Sequence, residues 1–244
     1  MTLLSAAAVA VLVGALVRGY TGFGASMFWV ASLSLVYPPA GVVPTVLLLE
    51  VLASLVLVPA VRHDVDWRRM RWMLLASVLT MPLGVALLQV LPARPMRVVV
   101  ALVILAGTLA MAFGVRTAGR PGTRTALAAG SVSGVVNGST GLGGPPAVLL
   151  YFSGADSNAV GRATLIAYFL GTDAAGFAMM AGTGLVDGQV LAHWAVFAPL
   201  ALLGIAVGQR TFRRTGGGRS FRTVVVVVLL LLSVATLVRA GLPG

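Results

Sequence analysis

Ten apolar runs divide the chain, at roughly 3–17, 25–37, 41–61, 72–91, 96–115, 125–137, 145–153, 160–182, 189–209 and 221–239. A helix needs about 20 apolar residues to cross a bilayer. The last three runs of each half approach that length. The two runs on either side of 19–24 and of 138–144 do not, and 25–37 and 145–153 are too short to cross comfortably. The pattern predicts an all-α membrane protein, a polytopic helical bundle of two repeats. Each repeat is a broken-helix hairpin of two short helices followed by three spanning helices. The N-terminal repeat covers 1–115, a linker 116–124, and the C-terminal repeat 125–244.

The breaks carry the most specific signal. Gly19, Tyr20, Thr21, Gly22, Phe23 and Gly24 recur as Gly138, Ser139, Thr140, Gly141, Leu142 and Gly143, followed by Gly144, 119 positions later. Glycine adopts backbone geometry that a spanning helix forbids, so each break frees backbone groups to meet a ligand. Paired breaks at matching points of two halves mark the central site of a transporter. Weaker matches extend the repeat: Gly84 with Gly204 and Gln89 with Gln209 at an offset of 120, and Arg97 with Arg222 at the start of each last helix.

Composition supports the membrane reading. The chain is 59% hydrophobic and 9% charged over 244 residues, against about 25% charged in soluble domains. There is no Cys, which excludes thiol catalysis, disulfides and Cys-ligated metals. The net charge of +11 comes from arginines that flank apolar segments. They speak for orientation in a membrane and against nucleic-acid binding. The run from Leu3 to Val17 lacks a basic leader and reads as the first membrane segment, not a cleaved signal.

Arginine placement orients the two halves. The segment 62–71 holds Arg62, Arg68, Arg69 and Arg71. The linker holds Arg116, Arg120 and Arg124, and 210–222 holds Arg210, Arg213, Arg214, Arg219 and Arg222. The loop 183–188 holds none. With the three rich segments in the cytoplasm, both termini lie outside and the halves are inverted.

The hairpin tips are the expected substrate site. The short helices following them start near Ala25 and Pro145. Their N-termini would aim free N–H groups and partial positive charge at the cavity, and Pro145 and Pro146 suit a first turn. Thr21, Ser139 and Thr140 can donate to oxyanion oxygens. Arg18, one residue before the first break, costs about 2.5–3.5 kcal/mol in mid-membrane unless it has a partner or faces water. Its guanidinium can grip two oxyanion oxygens at once; pairing with Glu50 is the structural alternative. Asn137 is its counterpart.

The expected substrate-binding set is therefore Arg18, Gly19, Tyr20, Thr21, Gly22, Phe23, Gly24, Asn137, Gly138, Ser139, Thr140, Gly141, Gly143 and Gly144. Glu50 and Asp173 lie mid-run in equivalent helices, about one turn apart under the repeat. Intramembrane acids mark ion or proton pathways, so these are the proton-coupling candidates. Gly130, Gly134 and Gly138 fit close helix packing. Trp67, Trp72 and Trp194 fit an interfacial belt, Trp29 core packing, and Asp156, Ser157 or Asn158 a helix cap. Asp64 and Asp66 read as solvated. His63 and His193 lack metal-ligand spacing. Neither a cofactor nor a metal is expected, and no nucleophile–base pair suggests an enzyme.

The segments Gly14–Gly24 and Gly134–Pro146, with the inverted halves and the size, resemble the sulfite exporter TauE/SafE family of membrane permeases. Tyr20 and Phe23 are bulkier than their counterparts Ser139 and Leu142, so the two tips are not equivalent. The resemblance implies a multi-pass protein of the cell (inner) membrane that moves sulfite, an organosulfonate or a related small anion. A passive anion channel using the same glycine-rich site is the alternative. The expected partners are the small anion and the lipid bilayer, with a homodimer as one possible assembly.

Overall fold

The computed structural model describes residues 3–113, 122–152 and 158–215. Most of the linker, the cap candidates Asp156 and Ser157, and the run 221–239 lie outside the described residues. Those described form nine α-helices. They are α1 (Leu3–Thr21), α2 (Ala25–Leu33), α3 (Pro39–Val61), α4 (Trp67–Val90), α5 (Ala93–Phe113), α6 (Thr123–Thr140), α7 (Gly144–Phe152), α8 (Asn158–Gly182) and α9 (Gly188–Thr215). A single 3-10 turn, Arg62–Asp64, joins α3 to α4.

Both predicted breaks are present, but the hairpins are lopsided. The arms before the breaks, α1 and α6, have 19 and 18 residues. The arms after them, α2 and α7, have 9 each. The expectation of two short arms is thus corrected: polar Gly19–Thr21 and Gly138–Thr140 still continue their helices. The first hairpin doubles back on itself. Trp29 Nε1 of α2 donates to the Val11 carbonyl of α1 at 2.9 Å, so Trp29 is a buried strut between the arms.

Among the described residues, four helices are long and apolar enough to cross a membrane: α3 with the turn after it, α4, α8 and α9. Their outer faces are apolar too. On α4, Leu75, Leu79, Leu83, Leu87 and Val90 are exposed, while Met73, Ser77, Met81, Gly84 and Leu88 are buried. Exposed leucines on such a helix suit hydrocarbon, which needs no polar cover. Asp66, expected in solvent, caps α4 instead by accepting the Arg69 N–H at 3.1 Å.

Small residues let helices of different halves touch. α4 lies along α6, and α9 along α1. A Cβ on Gly130, Gly134 or Gly138 would run into the carbonyl oxygens of Met73, Ser77 and Met81 respectively. Interhelical hydrogen bonds accompany this approach, from Ser77 Oγ to Gly130 O and from Thr80 Oγ1 to Ser131 O, both 2.8 Å. α3 and α8 pack together between these pairs.

Candidate functional site

The two breaks are built alike. Gly22 and Gly141 adopt left-handed φ values of 83° and 69°, which glycine alone takes without penalty. Each closes its helix with a backbone bond, Gly22 N–H to Arg18 O and Gly141 N–H to Asn137 O, both 2.8 Å. Gly24 takes a second left-handed turn at φ 90° and starts α2. The tips lie level with Glu50, midway along α3, and with Asp173 of α8.

There Arg18, Gly24, Ser26, Glu50, Asn137, Gly141, Gly143, Gly144, Phe169 and Asp173 line one cavity. Its interior has room for about one water molecule. It joins elements from both halves: α1, α2 and α3 with α6, α7 and α8.

Arg18 is 1% exposed, and both of its Nη atoms are hydrogen-bonded within the protein. Nη1 donates to Gly22 O at 2.6 Å and Nη2 to Ser54 Oγ at 2.7 Å. Nε stands 3.0 Å from Glu50 Oε2, a charge contact without hydrogen-bond alignment. The guanidinium also sits 5.1 Å from the Phe169 ring centroid, within cation–π range. The pairing with Glu50 that the sequence offered as an alternative is therefore present. Glu50 also accepts the Ser26 N–H through Oε1 at 2.8 Å, filling an otherwise unpaired donor at the start of α2. At the other end of α2, Arg97 Nε donates to Ser34 O at 3.0 Å. Opposite charges thus hold the two ends of the short helix, each sign matching its dipole.

In the second half, Asn137 Nδ2 donates to Asp173 Oδ1 at 2.9 Å, and Asn137 Oδ1 accepts the Gly143 N–H at 3.1 Å. Asn137–Asp173 thus stands where Arg18–Glu50 stands, so the acids are direct counterparts, not one turn apart as the simple repeat offset suggested. The tip is braced by buried hydroxyls: Tyr168 OH donates to Ser133 Oγ at 2.8 Å, and Ser133 Oγ to Gly143 O at 2.5 Å.

The other predicted residues are placed away from the cavity. Thr21 Oγ1 bonds Val17 O and Phe23 O, Ser139 Oγ bonds Val135 O, and Thr140 Oγ1 bonds Val136 O. These hydroxyls are turned back on the backbone and do not line the cavity. Gly19 and Gly138 serve the helix contacts, since a Cβ there would meet Ile205 O and Met81 O. Tyr20 packs edge-on against Phe212 at 5.6 Å. Gly22 abuts Arg162, whose Nη2 donates to Gly19 O at 3.2 Å.

Ser26 and Phe169 line the cavity and Ser54 holds Arg18, although none carries a signal in the sequence pattern of the tips. Ser54 and Phe169 lie one turn from Glu50 and Asp173 on the same helix faces, a spacing that could have found them. Ser26 contributes its backbone, which leaves no residue signature. Among the described residues, no group of three or more His, Asp and Glu could hold a metal ion.

Neither a curated protein nor a solved structure matches the chain significantly. The family model for the sulfite exporter TauE/SafE matches residues 6–236, nearly the whole chain, and the protein belongs to that family of membrane transporters.

Proposed function

We propose that the protein carries a small oxyanion, sulfite or an organosulfonate, across the cytoplasmic membrane by alternating access. The observation behind this reading is the cavity at which residues of both hairpin tips meet Arg18. Gly24 and Ser26 at the start of α2, and Gly143 and Gly144 at the start of α7, bring the positive ends of two helices to it. Arg18 adds a fork suited to two oxygens. Arg18, Gly24, Asn137, Gly141, Gly143 and Gly144 are the substrate-binding residues, and Glu50 and Asp173 the candidates for proton coupling.

The size of the cavity fits a carrier between its open states. Room for about one water is too little for a sulfite ion, so the site must open to load. The paired contacts α4–α6 and α9–α1 support two related halves, and the arginine distribution supports their inversion.

Counterflow in proteoliposomes tests this reading. Vesicles preloaded with sulfite, sulfoacetate, taurine, sulfate or acetate are diluted into labelled sulfite. A carrier gives saturable uptake accelerated by its own substrate inside. Flux that rises linearly with concentration and ignores the internal anion would mean a channel.

A further inference from the structure

Glu50 occupies the place an incoming anion needs. Its Oε1 takes the Ser26 N–H at the positive end of α2, and its Oε2 faces Arg18. A planar two-oxygen group bridging a helix N-terminus and a guanidinium is how a protein holds an oxyanion. Here the group is the protein's own, tethered through α3. The cavity beside it has no room for a second anion.

The other half has no such seat. Asn137 replaces Arg18, and Pro145, the counterpart of Ser26, has no N–H to offer. Asp173 is held by the Asn137 amide instead. A mere need to neutralise a buried arginine would not require Glu50 to reach the α2 backbone as well.

We propose that Glu50 is a tethered competitor for the anion site: substrate loads by displacing it from Arg18 and Ser26, and its return expels the substrate. This rests on the reading of the cavity as the transport site. The exchange keeps Arg18 neutralised throughout, because one anion replaces another. The charged groups facing Glu50 are Arg18 from α1 and Asp173 from α8. A displaced carboxylate is drawn back by the first and kept from moving deeper by the second.

The test is calorimetric binding of sulfite, methanesulfonate, sulfate and acetate to the purified full-length protein and to Glu50→Gln. Glutamine can still accept the Ser26 N–H but leaves Arg18 without a counter-anion. A competitor predicts binding at least ~10-fold tighter in Glu50→Gln, with slower release of labelled anion. Unchanged or weaker binding by folded Glu50→Gln overturns the proposal. Infrared difference spectra provide a second reading in the unaltered protein, should the variant not fold. Saturating anion must shift a carboxylate stretch that moves again in Glu50→Asp, and the absence of any such shift also overturns the proposal. If only sulfate or acetate binds, and more tightly in Glu50→Gln, the competitor stands while the reading of sulfite or an organosulfonate as substrate falls. Binding of none of the four probes to either protein overturns both.

Discussion

Gly208 meets the backbone of α1 as Gly84 meets that of α6. A Cβ on Gly84 would strike Val135 O and Ser139 N; one on Gly208 would strike Leu16 O and Tyr20 N, the equivalent atoms one repeat earlier. Gly208, not Gly204, is therefore the counterpart of Gly84. The sequence offset that pairs Gly84 with Gly204 is one helical turn short. The same turn explains why Glu50 and Asp173 pair with the matching residues Arg18 and Asn137 although the motif offset sets them apart.

Alanine at either glycine should loosen the contact between halves. Backbone, which cannot swing aside, blocks the added carbon, so overpacking of about 1–3 kcal/mol is expected. Thermal unfolding in detergent should show lower midpoints for Gly84→Ala and Gly208→Ala. Midpoints equal to the parent's would mean the helices are further apart.

Gly22→Val and Gly141→Val should reach the membrane and lose transport. The left-handed backbone at both positions costs a non-glycine residue about 1–2 kcal/mol or more, and β-branching worsens it. Gly141 has only ordinary contacts around a Cβ, the nearest being Val43 Cγ1 at 3.4 Å; its penalty comes from φ rather than from crowding. Gly141→Ala should consequently retain more activity than Gly22→Ala, where Arg162 also stands in the way. Sulfite-induced thermal stabilisation reports the site directly, and parent-like stabilisation in both valine variants would remove the tips from it.

Arg18→Ala should abolish anion binding and lower stability by about 3–5 kcal/mol, because it strands Glu50 without a counter-charge. Arg18→Lys keeps the charge but cannot reach Gly22 O, Ser54 Oγ and Glu50 together. Its affinity for sulfite should fall by ~10-fold or more. Calorimetry on folded protein separates lost recognition from failed insertion. Unimpaired binding by Arg18→Ala would make the arginine purely structural.

Asp173→Asn should keep sulfite exchange but lose accumulation driven by a pH gradient. Exchange needs only the alternating site, whereas coupling needs a group that titrates. The new amide keeps the Asn137 Nδ2 donation through its own Oδ1, so Asn137 holds its bond to Gly143. Uptake in proteoliposomes with and without an imposed gradient distinguishes the two. An unaltered response to the gradient would take Asp173 out of the proton path.

Single cysteines report orientation without background, since the chain has none. His63 and Gly188 are both exposed at helix ends, and a Cβ at Gly188 meets nothing within 4 Å. His63→Cys should resist an impermeant maleimide in intact cells, and Gly188→Cys should react. The reverse pattern would invert the assigned topology.

Much of the fold was legible because glycine and proline announce backbone behaviour in their identity. The ends of α1 and α6, the starts of α2 and α7, and the close approach at Gly130 and Gly134 could all be read that way. Arg18 and the two acids stood out because charge is costly in an apolar run. What stayed hidden had no such mark. The Ser26 contribution is a main-chain N–H that any residue but proline would supply. Thr21, Ser139 and Thr140 looked like ligand donors, yet a hydroxyl in a helix can equally bond the carbonyl one turn back. Phe169 is one more apolar residue in an apolar helix until Arg18 is placed over its ring.

The crossing of α1 onto α9 and of α4 onto α6 has a consequence for how the protein is made. Arg18 meets its counter-charge early, since Glu50 emerges from the ribosome within the same half. Gly19 beside it finds its packing surface at Ile205 only when α9 has been synthesised. Insertion is thus electrostatically safe long before the tip is braced. Two fragments cut in the linker should regain function only when both are made in one cell, because α9 braces α1 and α4 braces α6 across the halves.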